Sequence, residues 1–311
     1  FLPSTLGQCA HASVGSSDSA LSVSILGSTN DTSPSSTPVS VSGGATVAFN
    51  GIKFDGDNQY ATVAFGAATS YERGARGEFS VSFWMTKEQC TGGIYEYMCS
   101  HMSSIAPSTM WTSSGLNIYL GCENQGHGST SNGAVIRYSL VDTSGNEAMF
   151  DTTLHEAGNF DAVTNVWVHV LMTVTPTSLK TYDDGYLFPH DAADHYHFYT
   201  SPGVTTPNLA NPNPGALRPA FSHASNVSPF RFGLPLVLGT RADQDANRHF
   251  RGRMALVNVF TSALSASQAT CLFHAGDAML PNPRAVYRAS ACAPLVVDVS
   301  FIGDVVDRAG H

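Results

Sequence analysis

The sequence predicts an all-β chain, a two-sheet antiparallel β-sandwich of the jelly-roll kind with one short C-terminal helix. Three observations predict it. Segments of alternating apolar and polar residues recur along the 311 residues, as in Phe79-Ser80-Val81-Ser82-Phe83-Trp84, with Gly, Ser and Asn clusters between them. Only Ser265–Ala275, SASQATCLFHA, reads as a helix. Trp167 to Gly185, WVHVLMTVTPTSLKTYDDG, reads as a β-hairpin: an alternating strand, a break at Pro176-Thr177, and a second strand closed by Asp184-Gly185.

In chain order, strands are expected at Leu21–Leu26, Ala45–Phe54, Tyr60–Phe65, Glu78–Thr86, Tyr95–Ser100 and Leu116–Cys122. They continue at Ala134–Val141, Val166–Val174, Leu179–Tyr182, Leu236–Gly239 and Arg253–Phe260. So many short strands with so little helix imply two stacked antiparallel sheets. Phe188 to Gly233 is too long for a simple connection, and its Ser201–Pro219 part, with Asn211-Pro212-Asn213-Pro214, reads as extended loop and interaction surface.

Charged residues make up 13% of the chain, against roughly 25% in an average globular protein, and the net charge is −9. Without a basic stripe to neutralise phosphates, nucleic acid is excluded as a partner. No run of 18 apolar residues occurs, so membrane insertion is not expected. Six cysteines without a C-x-x-C fit an oxidising compartment and argue against a zinc ribbon. Two sequons, at Asn30 and Asn226, are candidate glycosylation sites. The expected location is extracellular or at the cell surface. The opening at Phe1, with no signal-peptide pattern, fits a mature product.

Several stretches together resemble the laminin-G-like (concanavalin-A-like) family. They are Ile52-Lys53-Phe54-Asp55-Gly56-Asp57-Asn58-Gln59-Tyr60, the Phe79–Trp84 strand, and the Trp167–Gly185 hairpin. Leu238-Gly239 followed by Phe250-Arg251-Gly252-Arg253-Met254 and Val257-Asn258-Val259-Phe260 is a fourth, and Ala263-Leu264-Ser265 with Gln268 a fifth. These matches run in order over roughly residues 45 to 275. The resemblance implies a sandwich spanning 21–275, after an N-terminal linker at 1–20, whose rim loops bind ligands or neighbouring modules rather than catalyse.

The family resemblance also implies calcium at a rim loop before the last strand. Asp243, Asp245 and Asn247 place oxygen ligands at every second position, and Asp55, Asp57 and Asn58 would add to them if the two loops meet. Arg248 stands where an EF-hand needs Gly, which rejects a true EF-hand, and a solvated acidic turn remains the alternative. His190, Asp191, Asp194, His195 and His197 crowd one span of the insertion, either as a metal site or, more simply, as a polar loop surface.

Sugar binding would rest on aromatics and amides that stack on and hydrogen-bond to pyranose rings. Trp111, Tyr119, Asn124, Gln125 and His127 are candidates, as are Tyr196 and Tyr199; packing at the core or rim is the competing role. A glycanase would need paired carboxylates, yet the seven Glu residues form no E-x-D-x-E pattern, and no G-x-S-x-G or H-E-x-x-H occurs. Cys90 and Cys99 flank the Gly92-Gly93 turn and suit a hairpin bridge. Cys271 would then reach Cys292 or Cys9, leaving Cys122 with the remainder, although fifteen pairings stay open.

The ends suggest tandem organisation. Leu2-Pro3, Cys9-Ala10 and Leu21-Ser22-Val23-Ser24-Ile25-Leu26-Gly27 are echoed by Leu280-Pro281, Cys292-Ala293 and Leu295–Gly303. Residues 276–311 thus read as a linker and the first strand of another copy, or alternatively as a closing strand of the same sandwich. The expected function is a non-enzymatic extracellular adhesion or binding module recognising glycans or protein modules. A building block of a self-associating filament, coat or array is the alternative, and a polysaccharide-active enzyme the third.

Overall fold

The computed structural model describes residues 21–23, 39–48, 51–63, 78–88, 95–102, 115–121, 135–141, 147–153, 166–175, 178–184, 186–187, 196–199, 235–260, 262–277 and 280. They form two eight-stranded antiparallel sheets and one helix. The first sheet comprises β1 (Leu21–Val23), β3 (Thr46–Ala48), β4 (Gly51–Asp55), β6 (Phe79–Lys87), β11 (Val168–Val174), β12 (Leu179–Asp183), β13 (Tyr186–Leu187) and β16 (Arg251–Phe260). Its order is β13-β12-β11-β6-β16-β4-β3, with β1 also on β16. The second comprises β2 (Val39–Ser42), β5 (Tyr60–Val63), β7 (Tyr95–Met102), β8 (Gly115–Gly121), β9 (Val135–Val141), β10 (Glu147–Thr153), β14 (Tyr196–Tyr199) and β15 (Leu236–Leu238). Its order is β14-β10-β9-β8-β7-β15-β5-β2.

The alternation decides which side chains face inward. On β6, Phe79, Val81, Phe83 and Met85 meet Ile52 and Phe54 of β4, and Leu116, Ile118 and Leu120 of β8 from the other sheet, in one buried core. Ser80 and Ser82 point the other way, where the helix α1 (Ala266–Asp277) covers the sheet. Trp84 stacks on Phe273 at 5.5 Å between ring centroids, with Trp167 and Leu280 beside them. A Cβ on Gly276 would lie 2.0 Å from Trp84 Nε1, so this closest approach requires glycine.

The hairpin forms as read. Val174 stands opposite Leu179, and a hydrogen bond from the Thr175 peptide N–H to the Ser178 carbonyl (2.8 Å) closes the turn. Helix α1 starts on a reciprocal capping box: Gln268 N–H donates to Ser265 Oγ (3.3 Å), and Ser265 N–H donates to Gln268 Oε1 (2.8 Å).

Four strands lie where none was expected: β2, β10, β13 and β14. The segment expected as Ala45–Phe54 is two strands, parted where Gly51 takes φ 114. β14 falls within the insertion expected to be loop, where Tyr196 pairs with Phe150 and Tyr199 with Glu147.

The Cys90–Cys99 bridge is corrected. Cys99 is a free, fully buried thiol in the inter-sheet core, opposite Ile118, and burial pushes its pKa well above the usual range. β7 carries its extra residue between Tyr97 and Cys99, which brings both Met98 and Cys99 into the core. Cys271 is disulfide-bonded. Cys9, Cys90, Cys122 and Cys292 lie outside the described residues, as do Asn30 and Asn226. No helix among the described residues is long and apolar enough to cross a membrane.

Candidate functional site

The two acidic loops expected to supply calcium ligands meet at one rim of the sandwich. The β4–β5 turn, Asp55 to Gln59, and the β15–β16 loop, Gly239 to Phe250, lie side by side there, joined by a hydrogen bond between His249 Nδ1 and the Gln59 carbonyl (3.4 Å). The loop is fastened to the sheet beneath it. Tyr97 N–H donates to the Arg248 carbonyl (3.1 Å), and Gly239 N–H donates to the Met98 carbonyl (3.0 Å). Ala242 N–H donates to Ser100 Oγ (3.0 Å), whose own proton goes to Asn117 Oδ1 (2.6 Å).

Arg241 organises the loop. Its Nε and Nη2 donate to Asp243 Oδ1 and Oδ2 at 2.8 and 2.7 Å, and Nη2 also reaches Asp245 Oδ2 at 2.8 Å. Asn247 N–H donates to Asp245 Oδ1 (2.9 Å). That peptide donor holds the Asp245 carboxyl below its usual range against partial desolvation, with Arg241 adding to it. Burial works against the Arg241 charge, but the bonds to Asp243 outweigh it and keep the guanidinium protonated.

These contacts show how the carboxylates expected to hold calcium are engaged. The Asp243 and Asp245 carboxylates are occupied by a cation of the chain itself. Across the rim, Asp55 Oδ1 accepts from Asp57 N–H (2.8 Å) and Asp57 Oδ1 accepts from Asn58 Nδ2 (2.8 Å). Those side chains shape their own turn, in which Asn58 takes φ 57. Among the described residues, no three His, Cys, Asp or Glu side chains gather where they could hold a metal. In this arrangement Arg241, rather than an open cavity, faces the Asp243 and Asp245 carboxylates.

Below the loop, the outer face of the second sheet carries an aromatic and cationic ladder. Tyr97 and Tyr119 stack at 4.6 Å, and Tyr95 meets Tyr119 edge-on at 5.3 Å. Arg137 lies 5.2 Å from the Tyr95 centroid and donates to its hydroxyl (3.1 Å), while Arg241 lies 5.8 Å from that of Tyr97. Tyr119, a sugar-stacking candidate, is only 6% exposed with one face taken by Tyr97, so it supports the rim rather than offering an open platform.

Tyr196 and Tyr199 lie on β14, and their odd spacing gives them opposite strand parity. His197 stands opposite Met149. Trp111, Asn124, Gln125, His127, His190 and His195 fall outside the described residues.

Two buried polar groups were missed by the sequence. Lys87 and Glu96 form an ion pair where β6 of one sheet nears β7 of the other, and Arg251 supplies a carbonyl to Lys87 (2.7 Å) and a peptide N–H to Glu96 (2.8 Å). Burial outweighs their mutual attraction, lowering the Lys87 pKa and raising that of Glu96. Ser82 Oγ and His169 Nε2 are hydrogen-bonded at 2.9 Å, and His169 N–H donates to Asp184 Oδ1 (2.9 Å). The trio resembles a nucleophile–base pair, but it is buried beneath Trp84 and Phe273, and burial lowers the His169 pKa to about 3. No substrate reaches that hydroxyl in this arrangement.

No family model and no curated protein matches the chain. Among solved structures it is similar to the receptor binding domain of botulinum neurotoxin C/D mosaic serotype, at 15% identity and TM-score 0.55, covering 83% of this chain and 50% of that one. The botulinum neurotoxin serotype G binding domain matches at 13% identity and TM-score 0.54, covering 82% and 50% of the two chains. The serotype D ligand binding domain, solved in complex with N-acetylneuraminic acid, matches at 16% identity and TM-score 0.53, covering 85% and 52%. The chain thus spans about half the length of these domains, and at such identity the likeness establishes a shared β-sandwich fold.

Proposed function

We propose that this chain is a non-enzymatic binding module that recognises neutral glycans at the rim formed by Asp55–Gln59 and Arg241–His249. The observation that carries the reading is the fixed presentation of exposed polar side chains. Asp57, Asn58, Gln244 and Asn247 are exposed, yet their backbones are held by the Arg241 clasp, the Asp55–Gln59 turn and the Ser100 anchor. A ligand meeting such a surface has little loop-ordering cost to overcome. Amide and carboxylate oxygens accept from sugar hydroxyls, and the acidic balance of the rim disfavours anionic sugars. The fold shared with receptor-binding domains, one of them solved in complex with N-acetylneuraminic acid, supports sugar recognition as a class. The preference for neutral sugars rests on the charge of this rim alone. The extracellular or cell-surface setting belongs to the same proposal and rests on the cysteines and the two sequons.

The test is a panel of immobilised neutral and acidic glycans probed with the wild-type chain and with Gln244→Ala/Asn247→Ala. Retention on neutral glycans, reduced at least about tenfold in the double variant at unchanged melting temperature, supports the rim. Equal retention by the variant places any site elsewhere, and an inert panel removes the glycan reading.

A further inference from the structure

On one side of the sandwich each sheet ends in a short edge strand. Among the described residues, β2 closes the second sheet and pairs only with β5, while β3 closes the first and pairs only with β4. A tight corner at Gly43-Gly44, held by a hydrogen bond from Ala45 N–H to the Ser42 carbonyl (3.2 Å), leads from one to the other. The valines of both strands point into the sandwich. Val39 stands opposite Val63 and Val41 opposite Ala61, both wholly buried in the core, and residues directly opposite share a face. Val47 likewise stands opposite the buried Ile52.

Yet the core is not closed there. Val39 and Val47 are only partly covered, and Val41 is 38% exposed, the one large hydrophobic side chain left exposed among the described residues. β2 also lacks the devices that keep edge strands apart. Val39-Ser40-Val41-Ser42 contains no Lys and no Pro, and its register against β5 runs without a bulge. Its outer side is set to continue the ladder.

Charge selects the occupant. The chain carries a net charge of −9, yet no charged residue occurs from Thr32 to Ile52. The edge offers no charge to attract a foreign partner, and two copies can meet there without repulsion. The pattern is also its own complement. About a two-fold axis through Ser40, antiparallel pairing sets Val39 of each copy opposite Val41 of the other, on the core side of both. We propose that β2 pairs with β2 of a second copy of this chain, joining the two second sheets into one and covering Val41. The Gly43-Gly44 corner abuts Asn58 of the rim, so antiparallel pairing places the two rims at opposite ends of the dimer. A dimer of that shape bridges two glycan-bearing surfaces, a consequence that alone rests on the glycan reading.

The experiment is sedimentation velocity on the full chain from about 1 μM to about 1 mM. Wild type is expected to approach about twice the monomer mass at the upper end. Ser40→Lys sets like charges directly opposite across the axis. It is expected to stay monomeric at the wild-type melting temperature, since Ser40 is exposed. Ser40→Cys is expected to form a disulfide-linked dimer under mild oxidation, whereas wild type and Lys180→Cys, a change at an exposed position of β12, are not. Should Ser40→Lys melt lower, the cross-link decides alone. A wild-type chain that is monomeric throughout overturns the proposal, and protection of its residues 39–42 from hydrogen exchange would then show the edge closed within one chain. Dimerisation that Ser40→Lys leaves unchanged places the interface elsewhere and overturns it too. None of these readouts involves a glycan, so failure here and failure of the rim are separate results.

Discussion

Arg241 grips the Asp243 carboxylate through two parallel hydrogen bonds of 2.8 and 2.7 Å, and the side chains of the pair are 5% and 1% exposed. The loop thus carries its own cation where a metal would otherwise neutralise two carboxylates. Calcium or a chelator should leave the wild-type melting temperature unchanged. Arg241→Met strands a buried carboxylate and should cost about 3–5 kcal/mol, part of which added calcium should restore. Differential scanning fluorimetry with and without calcium checks both; a wild-type chain stabilised by calcium would refute the built-in cation.

Lys87 and Glu96 make the same point inside the sandwich. Removing one partner leaves a charge in a site where both are almost fully buried. Lys87→Met should therefore destabilise by about 3–5 kcal/mol, whereas Lys87→Met/Glu96→Leu should lie much closer to wild type. Urea titration of the single and double variants decides it, and additive losses would contradict the pairing.

Stability should fall on mild acidification. His169 and His101 are fully buried, and burial lowers their pKa values from 6.5 to about 3 and about 4. Below pH 6.5 the unfolded chain binds protons that the folded chain refuses, so the folded state loses ground as pH drops through this window. At pH 5 the loss is about 2 kcal/mol for each histidine, 1.5 pH units below the unfolded value at roughly 1.36 kcal/mol per unit. Glu96, raised by burial, works in the opposite direction. Asp245, held low, adds a further loss only below its ordinary value of 3.8. Urea midpoints at pH 7 and pH 5 test this, and His101→Asn/His169→Asn should flatten the difference. Equal midpoints for wild type would reject the buried neutral imidazoles.

The strands legible in the sequence are those whose residues alternate in polarity between the inter-sheet core and the opposite face, such as β6 and the β11–β12 hairpin. β14, Tyr-His-Phe-Tyr, was not legible: four residues are too short a run to stand out among the loop-forming residues around them, and it is the pairing with β10 that makes them a strand. The bulge in β7 also left no local mark, so Cys99 read as a hairpin thiol although it faces the core. At the rim, the acidic residues were visible but their occupant was not. Arg241 stands two residues before Asp243, a spacing that signals a clasp only once Gln244 turns the chain through positive φ. The Tyr95–Tyr97–Tyr119–Arg137 ladder could be found only by laying β7, β8 and β9 side by side.

Helix α1 offers a graded test of how the first sheet is covered. Ser265→Ala removes one half of the capping box and should cost about 1 kcal/mol, with the helix still seated on Trp84. Gly276→Ala improves intrinsic helix propensity by about 1 kcal/mol, yet its Cβ would fall 2.0 Å from Trp84 Nε1. The clash is with a ring already stacked on Phe273 and tilted against His169, so the ring has little room to give way. Packing should outweigh propensity, and Gly276→Ala should destabilise by about 1–3 kcal/mol with a changed near-ultraviolet circular dichroism signal from Trp84. A Gly276→Ala variant as stable as wild type, with its aromatic signal intact, would show that the helix does not sit this close to the sheet.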